Sequence, residues 1–117
     1  MTIRVLLIDD HPVVRAGLRA LLETVRDIAV VGEGDSGMAG IGMARKLRPD
    51  IVVTDLLLPD VDGVAVTRSI RAELPDTRVI ILTRVDEEDG SVVHAIRAGA
   101  FGYPPSLLPA THTFSLR

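Results

Sequence analysis

Apolar residues along this chain alternate between two patterns. One is the short continuous run: Ile3 to Ile8, interrupted only by Arg4, then Ile28 to Val31, Ile51 to Thr54 and Val79 to Leu82. Runs of this length, rich in β-branched residues and bounded by charged or turn residues, suit strands buried on both faces. The other has helical spacing. It covers Val13, Val14, Gly17, Leu18, Leu21, Leu22 and Val25, then Met38 to Leu47, then Val64, Val66, Ile70 and Leu74, and finally Val85, Val92, Val93 and Ile96. Pro12 stands near the start of the first helix, where its missing N–H costs nothing. Arg48-Pro49 stops the second, because a residue before proline avoids the helical conformation. Gly32, Gly34 and Gly37 read as a turn after the second strand.

Strand and helix thus alternate four times, and a fifth short run, Ala100 to Tyr103, follows Ala98-Gly99 as a further strand. Parallel strands need crossover connections, so the alternation predicts an α/β fold: a parallel sheet with helices on both faces. The pattern fails after Tyr103. Pro104, Pro105 and Pro109 punctuate the remainder, and SLLPATHTFSLR offers no amphipathic helix long enough to cover a sheet. The expected organisation is one domain over residues 1–103 and a proline-containing tail over 104–117, with no DNA-binding domain in the chain.

A length of 117 residues allows a single core. Charged residues at 25% and apolar residues at 47% match an ordinary globular chain and exclude a disordered one. With 3% aromatic residues, no Trp and a net charge of -3, neither a base-stacking platform nor a basic nucleic-acid stripe can be built. The absence of cysteine excludes disulfides, thiolate metal sites and a cysteine nucleophile. No apolar run approaches the roughly 18 residues that suggest a membrane span, and the N-terminus is unlike a signal peptide. A cytoplasmic protein is expected.

Ligands of open α/β sheets bind beyond the carboxyl ends of the strands, at the switch in strand order. Asp9 and Asp10 follow the first strand here, Asp55 the third and Thr83 the fourth. Crowded carboxylates repel one another and favour a divalent cation, and an all-oxygen set suits Mg²⁺ rather than zinc. A carboxylate braced in this way can also accept a phosphoryl group. Alone, Asp9-Asp10 would read as a helix cap and Asp55 as a solvated loop residue; their convergence with Thr83 weighs against both readings. His11 reads as a polar residue bordering the helix start, His94 and His112 as solvated, and Arg15, Arg19 and Arg26 as the solvated face of the first helix.

In IDDHPVVRAGL (8–18), PDIVVTDLLLPDVDG (49–63), VIILT (79–83) and AGAFGY (98–103) the sequence resembles the receiver domains of two-component response regulators, most closely the NarL/FixJ-like subfamily. That resemblance implies a flavodoxin-like doubly wound sheet of five parallel strands in the order 2-1-3-4-5. It implies Asp55 as phosphoacceptor, Asp9 and Asp10 with the backbone carbonyl of Leu57 as Mg²⁺ ligands, Thr83 as the switch hydroxyl and Tyr103 as the switch aromatic. A sensor histidine kinase would donate the phosphoryl group, and DNA would be reached only through an output domain outside this chain.

Two departures stand out. The lysine that the family carries three residues beyond the aromatic is Ser106 here, and the only lysine in the chain, Lys46, belongs to the second helix. Arg84 is the nearest candidate for a replacement cation. The family's fifth helix is missing or irregular, which favours an alternative in which the domain dimerises or binds a partner without phosphorylation. An aspartyl-phosphate phosphatase would need an Asp where Leu57 stands, and a flavin carrier would need a Ser/Thr-rich phosphate loop after the first strand.

Overall fold

A computed structural model describes residues 2–82 and, as backbone, 111–114. Four alternations begin the chain: β1 (Ile3–Ile8), α1 (Pro12–Glu23), β2 (Ile28–Gly34), α2 (Gly37–Leu47), β3 (Ile51–Asp55), α3 (Gly63–Glu73) and β4 (Arg78–Leu82). A last strand, β5 (Thr111–Phe114), completes a sheet ordered β2-β1-β3-β4-β5, with every described pairing parallel.

The continuous apolar runs serve both faces of this sheet. Val5, Leu7, Ile51, Val53, Ile80 and Leu82 pack with Leu18 and Leu22 of α1 on one side. Leu6, Ile8, Val52, Val79 and Ile81 pack with Ile41 and Ala44 of α2 and Val66 and Ile70 of α3 on the other. The period-two alternation of strand side chains sends neighbours to opposite layers, so no polar position is needed within a run.

Helix boundaries follow local chemistry. Ser36 Oγ accepts the Ala39 N–H at 3.1 Å and Asp62 Oδ1 the Ala65 N–H at 2.8 Å, capping α2 and α3. At the far end of α2, Arg48 adopts a left-handed conformation with φ of 46°, and Pro49 follows it.

Two expectations are corrected. Gly32 and Gly34 lie inside β2, and Gly37 begins α2, so they do not form a turn. The reason is close packing: a Cβ on Gly34 would stand 3.1 Å from the Cα of Gly40, so glycine lets α2 approach the strand. The strand beside β4 is Thr111–Phe114, drawn from the tail, with Val79 opposite Thr111 and Leu82 opposite Phe114. The threonines and phenylalanine of that stretch have the composition of a strand, which a search for helical period passes over. The expected strand Ala100 to Tyr103, the helix before it and the irregular last helix lie outside the described residues.

Candidate functional site

The register of the sheet builds the site. Ile8 pairs with Thr54, so the next residues, Asp9 and Asp55, leave adjacent strand ends side by side. Glycine tightens the arrangement: the Gly63 N–H donates to the Leu56 carbonyl at 2.7 Å, and a Cβ on Gly63 would come within 2.6 Å of the Asp55 carbonyl oxygen. Helix α3 therefore starts directly against the end of β3. Across the loop between them, the Asp60 carboxylate accepts the N–H groups of Gly37 and Met38 at 2.8 and 2.9 Å. Those bonds hold its carboxyl below the usual carboxylate range and tie the loop to the start of α2.

One ligand atom from each of Asp9, Asp10, His11 and Asp55 lies within 4.8 Å of all the others. Asp9 is buried, and its Oδ1 accepts the His11 backbone N–H at 2.7 Å. The His11 ring sits over the carboxylates, its Nδ1 being 3.0 Å from Asp10 Oδ1, 3.4 Å from Asp9 Oδ1 and 3.8 Å from Asp55 Oδ2. Despite the nearest of these approaches, the buried Asp10 Oδ1 has no hydrogen-bond partner. Burial, followed by the negative charge of Asp9, pushes the Asp55 carboxyl above its ordinary value; Asp10 adds to the shift and the N–H groups of Leu56 and Leu57 offset part of it.

This donor set fits a hard divalent cation. Three carboxylates converge from two strand ends, one buried oxygen is unsatisfied, and the Asp55 carboxylate is destabilised as an anion. Octahedral Mg²⁺ takes oxygen ligands at about 2.0–2.1 Å and keeps several waters, which a partly open cluster allows.

Behind the cluster lies a network that sequence reading missed. Arg15 Nη1 donates to the backbone carbonyl of Asp9 at 2.6 Å and its Nε to Glu33 Oε1 at 3.0 Å, while Arg19 pairs with the other Glu33 oxygen. Arg15 and Arg19 are thus engaged with β2 rather than forming a purely solvated face. The spacing of Arg15 and Arg19 four apart on one helix face was a visible signal, but the partner at position 33 requires knowing that β2 lies beside β1. His11, which the sequence places at the border of the helix start, brings its Nδ1 within 3.8 Å of all three carboxylates. Thr83, Tyr103, Ser106 and Arg84 lie outside the described residues, and so does the side chain of His112.

The model of the response regulator receiver domain family matches residues 5–104. The chain belongs to that family. Response regulator protein VraR of Staphylococcus aureus is 47% identical over 103 residues, which are 88% of this chain and 49% of VraR. The receiver therefore spans about half the length of the curated relatives it matches. Among solved structures, the signal receiver domain of the putative response regulator NarL from Mycobacterium tuberculosis superposes with a TM-score of 0.71 at 30% identity, covering 97% of this chain and 82% of that one. RcsB of Salmonella enterica serovar Typhimurium, solved bound to a promoter with the phosphomimetic BeF₃⁻, gives a TM-score of 0.67 at 29% identity over 94% of this receiver and 58% of that chain. The resemblance to the NarL side of the family holds, and the flavodoxin-like order of the sheet agrees with it. Among the described residues of the receiver no helix is long and apolar enough to cross a membrane.

Proposed function

We propose that Asp55 accepts a phosphoryl group from the phosphohistidine of a sensor histidine kinase, in the cytoplasm, with Mg²⁺ held by Asp9, Asp10, Asp55 and the backbone carbonyl of Leu57. The observation that carries this reading is the meeting of three carboxylates from adjacent strand ends within one 4.8 Å cluster, one of them with an unsatisfied buried oxygen. When bound, the cation neutralises the carboxylates and the incoming phosphoryl oxygens. An Asp55 oxygen attacks phosphorus, so an O–P bond forms while the P–N bond to the donor imidazole breaks, and the imidazole leaves with the bonding pair. Asp9, fixed by the His11 N–H and by Arg15 on its carbonyl, keeps its place during the transfer.

Thr83 then closes on the phosphoryl group and Tyr103 relays the change to the surface. The domain is an acceptor rather than an enzyme, with turnover limited to its own phosphorylation and dephosphorylation. The matched span, half of VraR, and the promoter-bound RcsB favour control of a DNA-binding output domain by the switched receiver. Residues 1–103 form the switch and 104–117 an atypical tail.

The test is intact mass measurement after incubation with Mg²⁺ and acetyl phosphate. A single added phosphate that disappears in Asp55→Asn supports the reading. A second reading is favoured by Ser106 at the position of the expected lysine and by a tail strand beside β4. In it the domain dimerises or binds a partner without phosphorylation. Absence of the adduct at any pH, together with self-association, would select it.

A further inference from the structure

Phosphorylating Asp55 adds negative charge to a pocket that already holds three carboxylates. A cation held by these carboxylates would neutralise only part of the added charge, and the phosphoryl oxygens would also need donors from the protein. Arg15 is committed to the Asp9 carbonyl and Glu33. The chain's only lysine, Lys46, lies exposed in the last turn of α2, and position 106 carries Ser. Among the described residues, the one basic side chain paired with Asp55 is His11, with Nδ1 3.8 Å from Asp55 Oδ2.

We infer that His11 is a hydrogen-bond donor to the phosphoryl group on Asp55, alongside the Thr83 hydroxyl; the inference rests on the phosphoacceptor reading above. Its geometry suits the task. The His11 backbone is anchored by its N–H on Asp9 Oδ1 at 2.7 Å and by Pro12 behind it, which opens α1. The side chain is 64% exposed, so the ring can turn outward from the carboxylates as a phosphoryl group arrives. Neutral imidazole with its proton on Nδ1 donates as well as imidazolium does in direction, so the role needs no change of charge. The three carboxylates already give a hard cation the oxygen ligands it prefers, whereas imidazole nitrogen suits softer metals, so the ring is better used on the phosphoryl group than on the metal. With acetyl phosphate as donor, the Asp55 O–P bond forms as the P–O bond to acetate breaks; acetate leaves with the electron pair, and His11 contributes a hydrogen bond without transferring its proton.

The experiment compares the unaltered chain with His11→Asn, whose amide N–H overlays Nδ1, and His11→Phe, which keeps a ring without a donor. The initial rate of adduct formation is read by intact mass at saturating Mg²⁺, and Mg²⁺ affinity by calorimetry. Loss of a hydrogen bond to a charged group slows His11→Phe by about ten- to a hundredfold, while His11→Asn stays within about threefold and Mg²⁺ affinity is unchanged in both. Equal rates in all three chains, equal slowing of both variants, or a parallel fall in Mg²⁺ affinity would overturn the donor role. No adduct on the unaltered chain would sink the phosphoacceptor reading and this inference with it, a result distinct from an adduct formed equally fast by all three.

Discussion

Gly63 stands so close to Asp55 that a Cβ at position 63 would meet the Asp55 carbonyl oxygen at 2.6 Å. The first residue of α3 and the last of β3 are thus in backbone contact, and the direction in which Asp55 leaves its strand depends on a side chain that is absent. Gly63→Ala has backbone on the far side of the clash, which cannot swing aside as a side-chain tip would. Overpacking of this kind costs about 1–3 kcal/mol. Urea unfolding of Gly63→Ala should show that loss, with adduct formation at Asp55 slowed as well. An unchanged midpoint would mean that α3 shifts freely.

Much of this arrangement is legible in the sequence because parallel strands buried on both faces must be apolar throughout, and the residues that stop them are therefore conspicuous. Asp9 follows β1 and Asp55 ends β3, each one residue beyond the Ile8–Thr54 pair. What stays hidden depends on long-range approach. Gly32 and Gly34 look like a turn until α2 is seen to press on β2. Glu33 has no visible role until Arg15 and Arg19 reach it from α1. Thr111–Phe114 is as short as Ala100 to Tyr103 and less apolar, so nothing local singles it out, yet it pairs with β4.

Stability should respond to pH through Asp55. Burial and the charge of Asp9 raise its folded-state carboxyl above the ordinary 3.8. A raised acid contributes stability that is fully present below 3.8 and is lost as pH rises through the folded value, because the folded state then carries an unfavourable charge. In chelator at pH 7, Asp55→Asn is therefore expected to melt above the unaltered chain. The gain should shrink as pH falls through the folded value toward 3.8 and be gone below 3.8. Melting curves across that range check it; a variant that melts lower at pH 7 would contradict the sign.

The same repulsion makes a divalent cation stabilising. A ligand that binds only the folded state at a hundred times its dissociation constant adds about 2.7 kcal/mol. Titrating Mg²⁺ into the metal-free protein should raise the melting temperature with concentration. Asp10→Asn removes the charge beside the unsatisfied oxygen and should flatten that response while leaving the chelated protein at least as stable. An undiminished Mg²⁺ response in Asp10→Asn would place the ion elsewhere.

Arg15 joins the cluster to β2, and the two ends of its guanidinium can be separated by mutation. Glu33→Gln keeps an acceptor for Arg15 Nε but removes the charge, whereas Arg15→Ala frees the Asp9 carbonyl and leaves Glu33 with Arg19 alone. These side chains are 21% and 25% exposed, so solvent screens part of the pair. The expected cost is about 1–2 kcal/mol for Arg15→Ala and less for Glu33→Gln. Because the Asp9 carbonyl loses its anchor only in Arg15→Ala, that variant alone should also weaken Mg²⁺ binding, measured by calorimetry. Equal Mg²⁺ affinity in both variants would confine Arg15 to holding α1 against β2, with no part in placing Asp9.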